Sequence, residues 1–382
     1  MGVDSDLDWL DLERLAPDVS DNSGLIGGIK LVAAELKNDP VTRNQVIAMF
    51  IGYVQQWHGS SWRPMAVERE FRLPIRNIEA KRASYSKTFD YAGKIDLLMY
   101  PVGDPSSVYL VDHKTSSEDI TPGSQFWKRL LLTSQASHYQ LACHQLGVPI
   151  RGIMWDVIRK PRIRPKRIEK KNTKIITDSG RYCELPVSRQ TIESVGKGLE
   201  NENDELYFLR MMGDIFSEPS AWYAQHPVPR SDQEILDYSN ELWGTATRIR
   251  DCRAENTWLK TGATHSCYAY QRPCEYLDVC SGYDHIESSH WSRTENVHPE
   301  LTIIQENGRD VLTNSSLQCF RQCNRKYQFR YELGLRRGDE DSAALVIGGA
   351  LHKAIEFYWK SVAVPFDEID QMEQQLLFEE RV

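Results

Sequence analysis

What this chain of 382 residues lacks narrows its class first. No apolar run approaches the roughly 20 residues that cross a bilayer, so a membrane-spanning helix is excluded. The opening stretch, Met-Gly-Val-Asp-Ser-Asp-Leu-Asp, is acidic where a secretion signal is basic and then apolar. A cytoplasmic location with no membrane attachment is therefore expected. In that reducing compartment the eight cysteines do not read as a disulfide framework, and a chain this long does not need one. Cys267, Cys274 and Cys280 are separated by six and five residues, without the tight Cys-x-x-Cys spacing of common zinc knuckles. The chain also lacks net positive charge. Its formal charge of -8 by itself disfavours a polyanionic partner.

What is present points elsewhere. A hydrophobic content of 41% with 26% charged residues excludes a wholly disordered chain. The negative balance is uneven: Arg159 to Lys174 carries nine Lys or Arg residues against one Glu. Local charge, not the total, governs contact with nucleic acid. Patterning divides the chain into a lead-in at 1–40, a core with a helical and cysteine-rich part at 41–283, a polar linker at 284–310 and a helical lobe at 311–382.

Apolar residues at spacings of three and four predict a helix over 41–57, and a lesser helical character runs through 25–36. Strand patterns follow at 65–75, 92–100 and 108–114, the last two joined by turn-forming Pro-Val-Gly-Asp-Pro-Ser-Ser. A helix is expected over 127–146, a strand over 150–157 and mostly helix over 190–256. Two further helices are expected around 315–334 and 348–361. The fold class is α/β, a mixed central sheet flanked by helices with an added helical and cysteine-cluster region.

Strand alternation puts Asp112 and Lys114 on one face of one strand, and Lys94 and Asp96 on one face of the strand before it. If Tyr100 pairs with Val108, the register sets Asp96 opposite Asp112 with Cα atoms about 5 Å apart. Two carboxylates that close call for a compensating charge, and a hard divalent cation with oxygen ligands supplies it. Lys114 beside that cation can stabilise a hydroxide nucleophile or the charge developing on a phosphate. An edge hairpin with a solvated charged face would show the same Asp-x-Lys pattern.

Glu68-Arg-Glu-Phe71, Gly93-Lys-Ile-Asp96-Leu97, Val111-Asp-His-Lys-Thr115 and Gln135-x-x-x-Tyr139, in this order and spacing, resemble the RecB-like branch of the PD-(D/E)XK nuclease superfamily. The resemblance implies a restriction-endonuclease-like core. It implies Asp96 and Asp112 as ligands of Mg2+ (or Mn2+), Lys114 as catalytic lysine and Glu68 as an auxiliary acid. It also implies that Gln135 and Tyr139, four apart on one helical face, meet the site and the DNA backbone. Nucleases of this branch begin with a Cys-Pro-Arg-Lys-Tyr-like helix and a Gly-x-x-x-His helix whose histidine is a third ligand. Here both stand near the end, as Leu312 to Tyr327 and Gly348 to Glu356, so His352 becomes that ligand and the order resembles a circular permutation. Asn324 replaces the proline.

The resemblance also implies a [4Fe-4S] cluster on Cys267, Cys274, Cys280 and Cys323, with Cys319 as a rival fourth ligand. Zinc and plain buried thiols are the other readings. Arg159, Lys160, Arg162, Arg164, Lys166 and Arg167, interrupted by two prolines, predict an extended arm that follows DNA phosphates without reading bases. The expectation is a metal-dependent DNA nuclease, an exonuclease by resemblance, acting in repair, recombination or phage DNA processing. A helicase or recombination partner and a homo-oligomer are compatible with it. The alternatives are a catalytically silent nucleic-acid-binding subunit and a structural iron-sulfur protein.

Overall fold

A computed structural model describes residues 7 and 10–363 apart from 21, 270–271, 303–307 and 339–342. The end of the expected lobe, 364–382, part of the linker and the first six residues of the lead-in lie outside the described residues. A sheet of six strands organises the chain. Strands β1 (Trp62–Asn77), β2 (Ser84–Pro101) and β3 (Val108–Ser116) form an antiparallel meander. Strand β4 (Ile150–Arg159) runs parallel to β3, and β5 (Tyr223–Val228) antiparallel to β4. The short β6 (Asp310–Leu312) pairs parallel with Phe89–Tyr91 of β2.

The β2–β3 register is Leu97 with Val111, Leu98 with Leu110 and Met99 with Tyr109. It is the register expected from Tyr100 opposite Val108, and it leaves Asp96 facing Asp112 one step beyond the last bonded pair. Past that step β2 has no strand on this edge until β6 joins at Tyr91. Unpaired backbone carbonyls in such a gap need donors. Helix α4 (Gln135–Leu146) supplies them: His138 Nε2 donates to Ala92 O at 3.1 Å and Tyr139 Oη to Lys94 O at 3.0 Å.

Helices cover both faces. On one side α1 (Ser23–Glu35), α2 (Pro40–Trp57), α5 (Asp204–Ser217) and α8 (Ala343–Val362) enclose a core with Val46, Phe50, Leu97, Val111 and Leu351. On the other, α4, α6 (Asp232–Glu255) and α7 (Asn314–Gln322) enclose Tyr91, Leu110, Trp155, Leu242 and Phe320. The segment expected as a lead-in thus contributes α1. Gly28 lets α1 approach α2 so closely that a Cβ there would stand 2.4 Å from the Phe50 ring.

Two expected elements come out differently. The single helix over 127–146 is broken into α3 (Gln125–Leu131) and α4, because Arg230 takes the carbonyls of Leu131 (2.7 Å) and Thr133 (3.1 Å) that a continuous helix would use. Strand β5 falls in the stretch expected to be helical. It is short, contains Pro227, and owes its extended form to pairing along the edge of β4. No helix among the described residues is long and apolar enough to cross a membrane.

Candidate active site

The end of the β2–β3 hairpin opens into a cavity of about 400 Å³ lined by Glu68, Lys94, Asp96, Lys114, Gln135, Tyr139 and His352, with Glu300, Asn314, Ser315 and Gln318 on further walls. Asp112 lies behind it, 1% exposed. Residues from β1, β2, β3, α4 and α8 therefore meet at one point, and His352 arrives from the opposite end of the chain.

Each side chain is held by identifiable contacts. Asp112 Oδ1 accepts from Gln135 Nε2 at 3.0 Å, and Oδ2 lies against the Lys114 ammonium. That ammonium also sits 5.1 Å from the centre of the Trp155 ring. Gln135 Nε2 further donates to Tyr139 Oη at 3.1 Å. Asp96 Oδ2 accepts the His113 backbone N–H at 2.9 Å. Glu68 pairs with Lys94. Its backbone has φ 55°, a left-handed strand residue standing between the pairs Val67–Leu97 and Arg69–Ile95. Such a conformation costs about 1–3 kcal/mol and clusters at functional sites. Gly93 is required by close packing, since a Cβ would lie 2.8 Å from Phe71 and 3.3 Å from Tyr139.

The charges follow from burial. Burial, with the nearby Asp96 charge, pushes Asp112 up to about 7 despite Lys114. Burial would also raise Asp96, but the bond from His113 and the neighbouring positive charge of Lys114 outweigh it and hold Asp96 below the usual range. One proton is thus divided unequally over the pair. Burial raises Glu68 in spite of Lys94, and holds Tyr139 protonated. His352 Nε2 lies 3.0 Å from the carbonyl oxygen of His113, which can only accept, so Nε2 carries the hydrogen. Burial lowers His352 and favours the neutral ring. Its bare Nδ1 then points toward Asp96 Oδ2, 3.9 Å away.

A model of the PD-(D/E)XK nuclease superfamily matches residues 12–281 and 311–382. The chain belongs to this nuclease superfamily. Nothing among the curated proteins or the solved structures matches it. PD-(D/E)XK nucleases generally use divalent metals. Among the described residues no group of three or more His, Cys, Asp or Glu side chains is arranged to hold a metal ion as it stands. The donor chemistry nonetheless fits one: a buried carboxylate oxygen that meets only the Lys114 ammonium among the described residues, a second carboxylate facing it, and an imidazole nitrogen with its lone pair turned toward that second carboxylate.

The expected cysteines are free thiols. Cys280 lies within electrostatic reach of Cys323 and Cys267, and Cys274 of Cys323. Cys319 is buried in the apolar core, where its thiol is pushed up to about 12. The basic stretch runs without helix or strand over 160–166 and is fastened down along most of its length. Ile163 O accepts from Gln45 and Tyr207, Arg164 O from Arg210, and Arg162 donates to Ser117 O. Lys166 pairs with Glu169 and Arg167 with Glu200. Residues Lys170–Ser179 are helical, since the prolines lie upstream of them. Arg159 ends β4, and the Lys160 ammonium lies beside Gly348 at the start of α8.

Several site residues escaped the sequence. His138 lies inside the expected helix, but the gap it bridges is a tertiary feature. Glu300 fell in a segment expected as linker. Asn314 and Ser315 follow the Thr313 cap of α7, whose reciprocal bond with Ser316 is a readable start signal.

Proposed function

We propose that this protein hydrolyses phosphodiester bonds in DNA, and that it acts from DNA ends as RecB-like exonucleases do. The observation that carries the reading is the meeting of Asp96, Asp112, Lys114, Gln135 and His352 around one cavity. Asp96, Asp112 and His352 would hold Mg2+ or Mn2+. The cation would supply charge neutralisation and activation of water at neutral pH.

The remaining work belongs to the chain. Gln135 fixes the Asp112 carboxylate through Oδ1, so that Oδ2 keeps one direction. Lys114, steadied between Asp112 and Trp155, offers positive charge where a phosphate gains negative charge. Glu68 orders Lys94 at the cavity wall, and Tyr139 ties α4 to β2 without ionising. The basic stretch from Arg159 to Arg167 would carry the backbone to this cavity through phosphate contacts. The C-terminal segment from Asp310 would supply in permuted order the part of the fold that precedes Glu68 in relatives. Its pairing with β2 and the approach of His352 to Asp96 support that order.

Cys267, Cys274, Cys280 and Cys323 would hold an iron-sulfur cluster of structural use; all four are partly buried thiols, Cys274 near Lys326 and Cys280 near Lys260 and Arg325. Iron analysis of anaerobically purified protein tests this, and colourless, iron-free protein would remove it. The nuclease reading is tested with end-labelled single- and double-stranded DNA in Mg2+ or Mn2+, comparing wild type with Asp112→Ala. Cleavage by wild type alone is expected. Intact DNA in every lane would overturn the reading.

A further inference from the structure

The residue between Asp112 and Lys114 faces away from both. Alternation along β3 sends the His113 ring through to the other side of the sheet, where it is 4% exposed among Tyr53, Asp156 and α8. An apolar residue would fill that place at less cost, because a buried imidazole must find partners. Its partners form one connected line.

At the near end, the His113 backbone N–H and ring Nδ1 both address Asp96 Oδ2, at 2.9 and 3.6 Å. At the far end, Nε2 lies 3.1 Å from Tyr53 Oη and 3.5 Å from Asp156 Oδ2. The Tyr53 hydroxyl donates its proton to Asp156 Oδ2 at 3.0 Å and accepts from Trp359 Nε1 at 2.9 Å. An indole N–H can only donate, and a hydroxyl whose proton is already directed can only accept again. His113 Nε2 must therefore donate to Tyr53, which fixes the orientation of the ring, and a ring that also meets Asp96 through Nδ1 carries hydrogens on both nitrogens, set between the carboxylates of Asp96 and Asp156.

Trp359 and His352 are both on α8, seven residues and so about two turns apart, on one side of the helix. His352 ends on the His113 carbonyl, and Trp359 reaches the His113 ring through Tyr53. Two polar contacts of α8 thus converge on a single residue, which in turn grips Asp96.

We propose that His113 is the positioning residue for Asp96, and that through it the seating of α8 sets the affinity of the cation site. The proposal rests on the cation site of the preceding section. A partner shell of this kind alters metal affinity by roughly 10- to 100-fold when removed.

The test is Mn2+ binding to the full-length, DNA-free protein, followed by the electron paramagnetic resonance signal of free Mn2+. Tyr53→Phe and Trp359→Phe each delete one polar group and keep the packing. Each is expected to weaken binding by roughly tenfold. The double variant is expected to be no weaker than the worse single, since both act through one line. Tyr223→Phe removes an equally buried hydroxyl that donates to Met49 O, beside Tyr53 but off the line, and is expected to leave Mn2+ affinity unchanged. His113→Leu should weaken binding most and His113→Gln restore part of it. If either His113 variant fails to fold, the Tyr53 and Trp359 pair decides. Wild-type affinity in both Phe variants, or equal losses in Tyr223→Phe, would overturn the positioning role. Absence of Mn2+ binding in the wild type would instead remove the cation site itself, and this proposal with it.

Discussion

At the scale of single residues, burial decides which protonation states the site can use. His138 is enclosed between Tyr238 Oη at 2.7 Å and Ala92 O, and burial brings it down to about 4 from 6.5. Below the ordinary histidine range the unfolded chain takes up a proton that the folded chain refuses. Stability should therefore be whole above 6.5 and decline between 6.5 and about 4, by roughly 3 kcal/mol in all. Urea unfolding at neutral and mildly acidic pH should show this slope, and His138→Gln should flatten it. Lys114 acts through its charge. Lys114→Ala should lower kcat by roughly 100-fold with little change in DNA affinity, because its contribution is greatest when the phosphate is most negative. Single-turnover cleavage measured beside equilibrium binding separates the two effects.

Elements matter here through the gap they leave. Strand β2 carries β3 on one part of an edge and β6 on another, and α4 closes the interval with His138 and Tyr139. The packing of Phe71 and Tyr139 over Gly93 admits no side chain. Gly93→Ala should cost about 1–3 kcal/mol by overpacking. It should also reduce cleavage beyond that loss, because the displaced Tyr139 no longer sets Gln135. Denaturant unfolding and cleavage rates on the same variant check both parts. The β2–β3 register was legible in the sequence because turn residues and alternation fix it between them. The break between α3 and α4 was not, because its cause is Arg230, about a hundred residues downstream.

For the whole molecule the question is how the C-terminal segment stays seated. Asp90, 3% exposed, lies 2.9 Å from Arg72 Nε and 3.0 Å from Arg309 Nε, and so clamps the approach to β6 against β1 and β2. Arg253 adds ion pairs at 2.7 Å to Asp310 and Glu332. Asp90→Ala would leave the buried Arg72 guanidinium facing that of the partly exposed Arg309 and should cost about 3 kcal/mol. Hydrogen exchange should then rise first along β6 and α7. Electrostatics at this scale also sets the contact with nucleic acid in a chain of net charge -8. Neutralising Arg162, Arg164, Lys166 and Arg167 together should weaken DNA binding and reduce the salt slope by up to about four. The reduction should fall short of four, since Lys166 and Arg167 already face Glu169 and Glu200. Affinity and slope equal to wild type would make the stretch ordinary surface.

The sequence by itself determined the strands β1 to β4, the β2–β3 register and the facing pair Asp96 and Asp112, because these depend on alternation and turn chemistry between neighbours in the chain. It also singled out His352, through the resemblance of Gly348 to Glu356 to the Gly-x-x-x-His helix of RecB-like nucleases. Only the tertiary structure decided how these residues are held. The Arg230 break, the carbonyls capped by His138 and Tyr139, the Asp90 clamp and the line from Trp359 to Asp96 all join residues far apart in sequence. Such contacts obey no local period. They exist because buried polar groups must be paired, and the partner is whichever side chain the fold brings within reach.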